Sequence, residues 1–248
     1  MTILAGTEEK KFTVHKDIIC RFDYFQEAFR HESTILFPDV SPTAVSLFIV
    51  YLYKGSVAMG NTEEYLHDLV DLYILADGSE MVDLKDKTMD CIQDMSAKYG
   101  LLEEVTNLEL VKRVYDKTHA KYEGLRKYLI HLTAFEHDAA IKDLTPRGAE
   151  AVIPYLSAEY LESLRNYTKD HPEILLGVVK CHQFRLSDEL RNKFVPEMKE
   201  DIYDPRERDE SYLSSRCFFH CHRKRTDCRE VPPSDDALFV ASERLYVE

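Results

Sequence analysis

The sequence predicts an α/β fold of the α+β type, in which a small sheet is flanked by a helical cluster and followed by a mostly α-helical region. Three observations carry this. Short segments near the N-terminus alternate polar and β-branched or aromatic residues with a period of two. From Ile18 onward the apolar residues recur at three- and four-residue steps, the period of a helix. Beyond Gly100 no convincing strand pattern returns before the tail.

Thr2 to Gly6 reads as a strand, Thr7 to Lys10 as a polar turn and Lys11 to His15 as a second strand, with Phe12 and Val14 on one face of a hairpin. Ile18, Ile19, Phe22, Phe25 and Phe29 then mark two short helices, and Asp17 is placed to cap the first. Thr34 to Phe37 is a third strand, ended by Pro38. Ser41-Pro42 starts a helix, with Ser41 at the N-cap and Pro at the first turn, where its missing N–H costs nothing. That helix runs through Val45, Phe48, Ile49 and Leu52 to Gly55. Thr62-Glu63-Glu64 opens the next helix, and Met81 to Met95 forms another. Leu101 to Phe135, Glu173 to Phe184 and Leu186 to Phe194 are helical in pattern, and Pro146, Pro154 and Pro172 punctuate them. The expected division is 1–97, a helical region 98–195, and a charged linker with a Cys/His-containing tail over 196–248.

A net charge of −13 argues against general nucleic-acid binding and against docking on an anionic membrane, since both present anionic surfaces. Met1 to Gly6 lacks the basic start of a signal peptide. The longest apolar run, Ala44 to Leu52, is too short to span a bilayer. Cys20, Cys91 and Cys181 stand singly in apolar surroundings, as reduced thiols do. An intracellular protein of cytoplasm or nucleus is expected.

The residues become specific between Phe12 and Ala76. Phe12-Thr13-Val14-His15-Lys16-Asp17-Ile18-Ile19-Cys20, followed by Phe22 to Phe29, resembles the core signature of BTB/POZ domains. There a strand ends in a His-Lys or His-Arg pair, and a short helix and an aromatic-rich helix follow. Ile35 to Pro42 resembles the strand and helix start of the same domain, Phe48 to Gly55 its "YLYtG" helix end, and Glu64 to Ala76 its next helix. The style is closest to BTB proteins of filamentous fungi. The resemblance implies a domain that binds proteins, either by self-association or as a substrate adaptor for a cullin-class ubiquitin ligase. One departure bears on this. In many members an Asp before the first strand faces the basic residue that Lys16 matches, and that position falls before Met1. The N-terminal extension of strand-swapped dimers is missing too, which leaves dimerisation by that route open, the start being either a short form or a truncated one.

His15 belongs to the strand-to-helix corner, where an imidazole satisfies backbone groups, because no partner lies at metal spacing. Lys16 reads as a solvated or paired charge, since nothing predicts the desolvation a catalytic lysine needs. Phe25 and Phe29 read as core. Tyr24, Tyr51 and Tyr53 are the candidate partner-binding residues. Glu63-Glu64 and Asp68 with Asp71 read as a solvated helix face, with Glu64 favouring the helix dipole. No G-x-S-x-G, phosphate-cradling loop, H-E-x-x-H or C-x-x-C is present, so no enzyme is expected.

The tail carries the alternative. Cys217, His220, His222 and Cys228 offer thiolates and imidazoles, the ligands zinc prefers in closed tetrahedral sites, and Cys221 is an alternative ligand. Arg223-Lys224-Arg225 reads as a solvated basic run or a nuclear-import signal. Zinc is the one candidate cofactor, in a protein whose tail would be its structural or regulatory element; the other reading is a loose tail without metal.

Overall fold

The structure is a computed structural model, and it describes residues 1–99, 108–119, 124–143, 169–181, 205 and 219–221. Expected elements over 186–194, and the part of the 173–184 helix beyond 181, lie outside the described residues. The chain divides into two units. One holds Met1–Leu101, Thr118–Tyr122 and His220–Glu248; the other holds Leu102–Lys117 and Glu123–Phe219.

In the first unit, β1 (Thr2–Ala5) pairs antiparallel with β2 (Lys10–Thr13) and parallel with β3 (Thr34–Phe37), giving the order β2-β1-β3. Register sets Ile3 beside Phe12 and Ile35. Ile3 and Ala5 turn to the same face and are fully buried, as period-two geometry requires. The hairpin turn uses left-handed backbone at Gly6 (φ 71°) and Glu9 (φ 53°).

Between β2 and β3 lie α1 (Lys16–Ile19) and α2 (Asp23–Ala28). The expected Asp17 cap is not formed: His15 holds the N-cap position without a side-chain bond, and Asp17 sits inside the first turn. From there its carboxylate can favour the helix dipole. Phe25 is fully buried and stacks on Phe48 (5.2 Å) and Phe29 (6.5 Å), so the aromatic repeat is core as expected.

The next helix, α3 (Pro42–Lys54), has the boundaries its sequence dictates. Ser41 Oγ accepts from the Ala44 N–H at 3.0 Å, Pro42 opens the first turn, and Gly55 closes the helix at φ 70°. Thr62 caps α4 (Glu63–Gly78) through the Tyr65 N–H, and α5 (Val82–Tyr99) follows after a tight turn at Ser79 and Glu80. α4 packs on both α3 and α5, and Leu66, Leu69, Leu72, Tyr73, Leu84, Met89 and Ile92 are buried there.

Within the stretch from Leu101 to Phe135, helical in pattern, the second unit forms two helices. α6 (Leu108–Lys117) ends before Thr118, and α7 (Gly124–Asp143) starts afresh. Arg126 fastens the two: it donates to the Tyr115 carbonyl at 2.7 Å and lies 4.7 Å over the Tyr115 ring. A further helix spans 172–181. It comes so close to α7 that a Cβ on Gly177 would sit 2.6 Å from Ile130 Cδ1. His171, just before it, bonds Asp116 of α6 at 2.7 Å and Glu173 at 3.3 Å.

Candidate functional site

Tyr24 (41% exposed) and Tyr53 (46%) stand on the surface of the first unit, as does Leu36 (46%) on β3. The Tyr24 ring meets buried Phe25 edge-on at 5.0 Å, which fixes its base while leaving its face to solvent. Tyr51, grouped with them in the sequence, lies differently. It is 8% exposed, and its hydroxyl donates to Asp83 Oδ2 at 2.7 Å, tying α3 to α5. Burial, reinforced by the hydrogen bond to Asp83 and its charge, raises the Tyr51 pKa.

His15 is exposed at the strand-to-helix corner. Its backbone N–H donates to Tyr53 Oη at 3.3 Å, and its Nδ1 shares a hydrogen bond with the same oxygen at 2.5 Å. The expected service to backbone groups is therefore done by the tyrosine, while the imidazole positions that tyrosine. The sequence showed both residues but not their pairing, because they are separated by β3 and most of α3.

The acidic face of α4 is also not the solvated face its composition suggests. Asp68 Oδ1 receives the Ser41 hydroxyl at 2.5 Å, and Asp71 Oδ2 receives the Ser41 N–H at 3.1 Å. Asp71 is 6% exposed. Both carboxylates thus engage the residue that caps α3. Glu64 does behave as a first-turn carboxylate: its own backbone N–H, then the Thr62 hydroxyl, hold its carboxyl below the usual range.

Deeper, Lys85 and Asp77 form an ion pair at 3.0 Å with both side chains fully buried. The second oxygen of Asp77 accepts from the His119 N–H at 2.8 Å and from His119 Nδ1 at 2.9 Å. No sequence motif announced this centre, since the three residues come from α4, α5 and the segment after α6.

Of the tail residues named as possible metal ligands, His220 and Cys221 are described, and both belong to the first unit. His220 Nε2 faces Asp90 Oδ1 at 3.3 Å with its side chain 3% exposed. The Cys221 N–H donates to Asp86 Oδ1 at 2.6 Å, and its thiol meets the Tyr73 hydroxyl at 3.3 Å. Cys217, His222 and Cys228 lie outside the described residues. Among the described residues no three His, Cys, Asp or Glu side chains gather as a metal site.

In the second unit Cys181 Sγ lies 3.8 Å from His131 Nδ1. Burial pushes the imidazole down to about 4, with Lys127 adding to the effect, and burial raises the thiol. The resting pair is a neutral imidazole beside a protonated thiol, the opposite of the thiolate–imidazolium pair of a cysteine nucleophile. No described helix is long and apolar enough to cross a membrane.

The first unit thus joins a three-stranded sheet to short helices that leave Tyr24 of α2 and Tyr53 of α3 exposed, an α+β architecture. The comparison with protein families is specific: the BTB/POZ domain model matches residues 1–96, and this stretch of the chain is a BTB/POZ domain. No curated protein and no solved structure matches the chain.

Proposed function

We propose that the BTB/POZ domain engages its protein partners, a second copy of itself or a cullin-class ubiquitin-ligase scaffold, through Tyr24 and Tyr53. The observation that carries this is their exposure on a domain that buries Phe25, Phe29, Phe48, Tyr51 and Tyr73. Tyrosines pinned at one end and solvated at the other match the residues that dominate protein interfaces. Light scattering on the full chain reads self-association, and a pull-down with a cullin scaffold reads adaptor activity. A Tyr24→Ser, Tyr53→Ser variant is expected to weaken whichever association is seen by about tenfold or more. Absence of both associations, or one indifferent to the two substitutions, overturns the reading.

A zinc-binding tail is the second reading, favoured by one observation. The imidazole of His220 rests on a carboxylate, the support that orients zinc-bound imidazoles. Zinc would then brace the tail through His220 and the neighbouring Cys and His residues. Elemental analysis of the purified chain tests it: zinc near zero that does not rise on reconstitution removes it.

A further inference from the structure

Four aspartates of α5, at 83, 86, 90 and 94, are spaced by three and four residues. At 100° per residue they fall within an arc of about 80°, a single acidic stripe along the helix. Like charges at such spacing repel and weaken a helix unless something of opposite character covers them. Asp83 is covered locally, by Lys87 at 2.9 Å and the Tyr51 hydroxyl. Asp86 and Asp90 are met by groups more than a hundred positions away in sequence: the Cys221 N–H and the His220 ring. The segment seated there is flanked in sequence by Arg216 on one side and Arg223-Lys224-Arg225 on the other, in a chain whose net charge is −13. An acidic stripe and a locally basic segment within an acidic chain are complementary.

We infer that the α4–α5 face, with the Asp86–Asp90 stripe as its polar wall and Tyr73 beside it, is a docking site for a basic His/Cys-bearing peptide segment, and that the chain's own residues around His220-Cys221 are its occupant. The N–H of Cys221 fixes the backbone on Asp86, His220 adds a second charge-directed bond one helical turn along, and the flanking cations supply long-range attraction. The basic run is thereby given a role within the chain. The inference is independent of which partner the BTB/POZ domain binds, so the two can fail separately.

Thiol reactivity of the full chain tests it. Alkylation at Cys221 is followed by tandem mass spectrometry, with Cys20 on the C-cap of α1 as an internal clock. Docking makes Cys221 slow in the wild type. His220→Ala, which leaves α5 untouched, and Asp86→Ala, Asp90→Ala are each expected to accelerate it about tenfold, the scale of a lost charge-assisted hydrogen bond, with Cys20 unchanged. Reversing the basic run (Arg223→Glu, Lys224→Glu, Arg225→Glu) and raising the salt are expected to accelerate it as well. Should the α5 variant unfold, Cys20 accelerates too and His220→Ala supplies the answer. A Cys221 rate unmoved by His220→Ala overturns the docking. A rate unmoved by charge reversal and salt overturns the basic character of the occupant.

Discussion

The two units each bury titratable groups, and they treat them in opposite ways. In the first, Lys85 and Asp77 are buried together as an ion pair, and the second carboxylate oxygen is bonded to His119. In the second, His131 and Cys181 are brought together with desolvation as the main influence, and both move toward their neutral forms. Taking a charge out of water costs several kcal/mol. A chain can meet that cost with a partner of opposite sign or escape it by shedding the charge. The BTB/POZ domain takes the first route where α4, α5 and the segment after α6 converge. The helical unit takes the second, between α7 and the 172–181 helix. The first ties three segments into one geometry; the second asks only for partial burial.

The sharpest way to break this contrast is to remove one member of the pair. Lys85→Met leaves the Asp77 carboxylate buried without its ammonium, and a loss of about 3–5 kcal/mol in urea unfolding is expected. Adding Asp77→Asn, which keeps an oxygen for the His119 N–H, should recover most of it. A single-variant loss below about 1 kcal/mol would show that the pair is hydrated. Next in size is the pH response of His131. Above pH 6.5 folded and unfolded chains both hold this imidazole neutral, and its contribution to stability is fully present. Between 6.5 and about 4 only the unfolded chain takes up the proton, so stability falls with falling pH. The loss approaches about 3 kcal/mol at the lower end, and about 1 kcal/mol is gone by pH 5.5. The difference in unfolding free energy between wild type and His131→Gln should therefore change by that amount between pH 7.5 and 5.5. A difference constant with pH would mean that the imidazole is solvated.

The fold of the BTB/POZ domain was legible because its signals are local. Ser41-Pro42 and Gly55 set the ends of α3 by capping chemistry, and the switch from a two-residue to a three- and four-residue period separates β2 from α1. Asp17 was misplaced because capping depends on a single backbone step, which the sequence does not fix: His15, not Asp17, stands just outside the helix. The run from Leu101 to Phe135 showed two apolar stripes, one on α6 and one on α7, but no capping signal that fixes where α6 ends. The candidate surface was legible in part. Tyr24 and Tyr53 are exposed, but Tyr51, two residues from Tyr53, points to another face of the same helix, as 100° per residue demands. Asp68 and Asp71 looked solvated because Ser41, which engages them, is far away in sequence. The Lys85–Asp77–His119 centre and the seat of His220 on Asp90 were illegible for the same reason: each joins residues from separate segments.

Tyr51 lies between the two regimes and offers the smallest and most discriminating test. Its ring is buried and its hydroxyl is held protonated by burial first and by Asp83 second, yet Asp83 itself is 65% exposed in its side chain. A neutral donor thus meets a charge that water still reaches. Lys87 closes the arrangement, bonding Asp83 at 2.9 Å and the Gly55 carbonyl at 2.7 Å while lying 5.6 Å from the centre of the Tyr51 ring. Tyr51→Phe keeps the ring and removes one hydrogen bond, and a loss of about 1 kcal/mol is expected, because water can replace the lost donor at Asp83. Asp83→Asn should cost no more, and the double variant should cost less than the sum, the mark of direct coupling. A Tyr51→Phe loss of about 3 kcal/mol or more would place Asp83 in the buried class with Asp77. No loss at all would show that solvent already serves the carboxylate, and that ring packing alone holds α3 to α5 at this point.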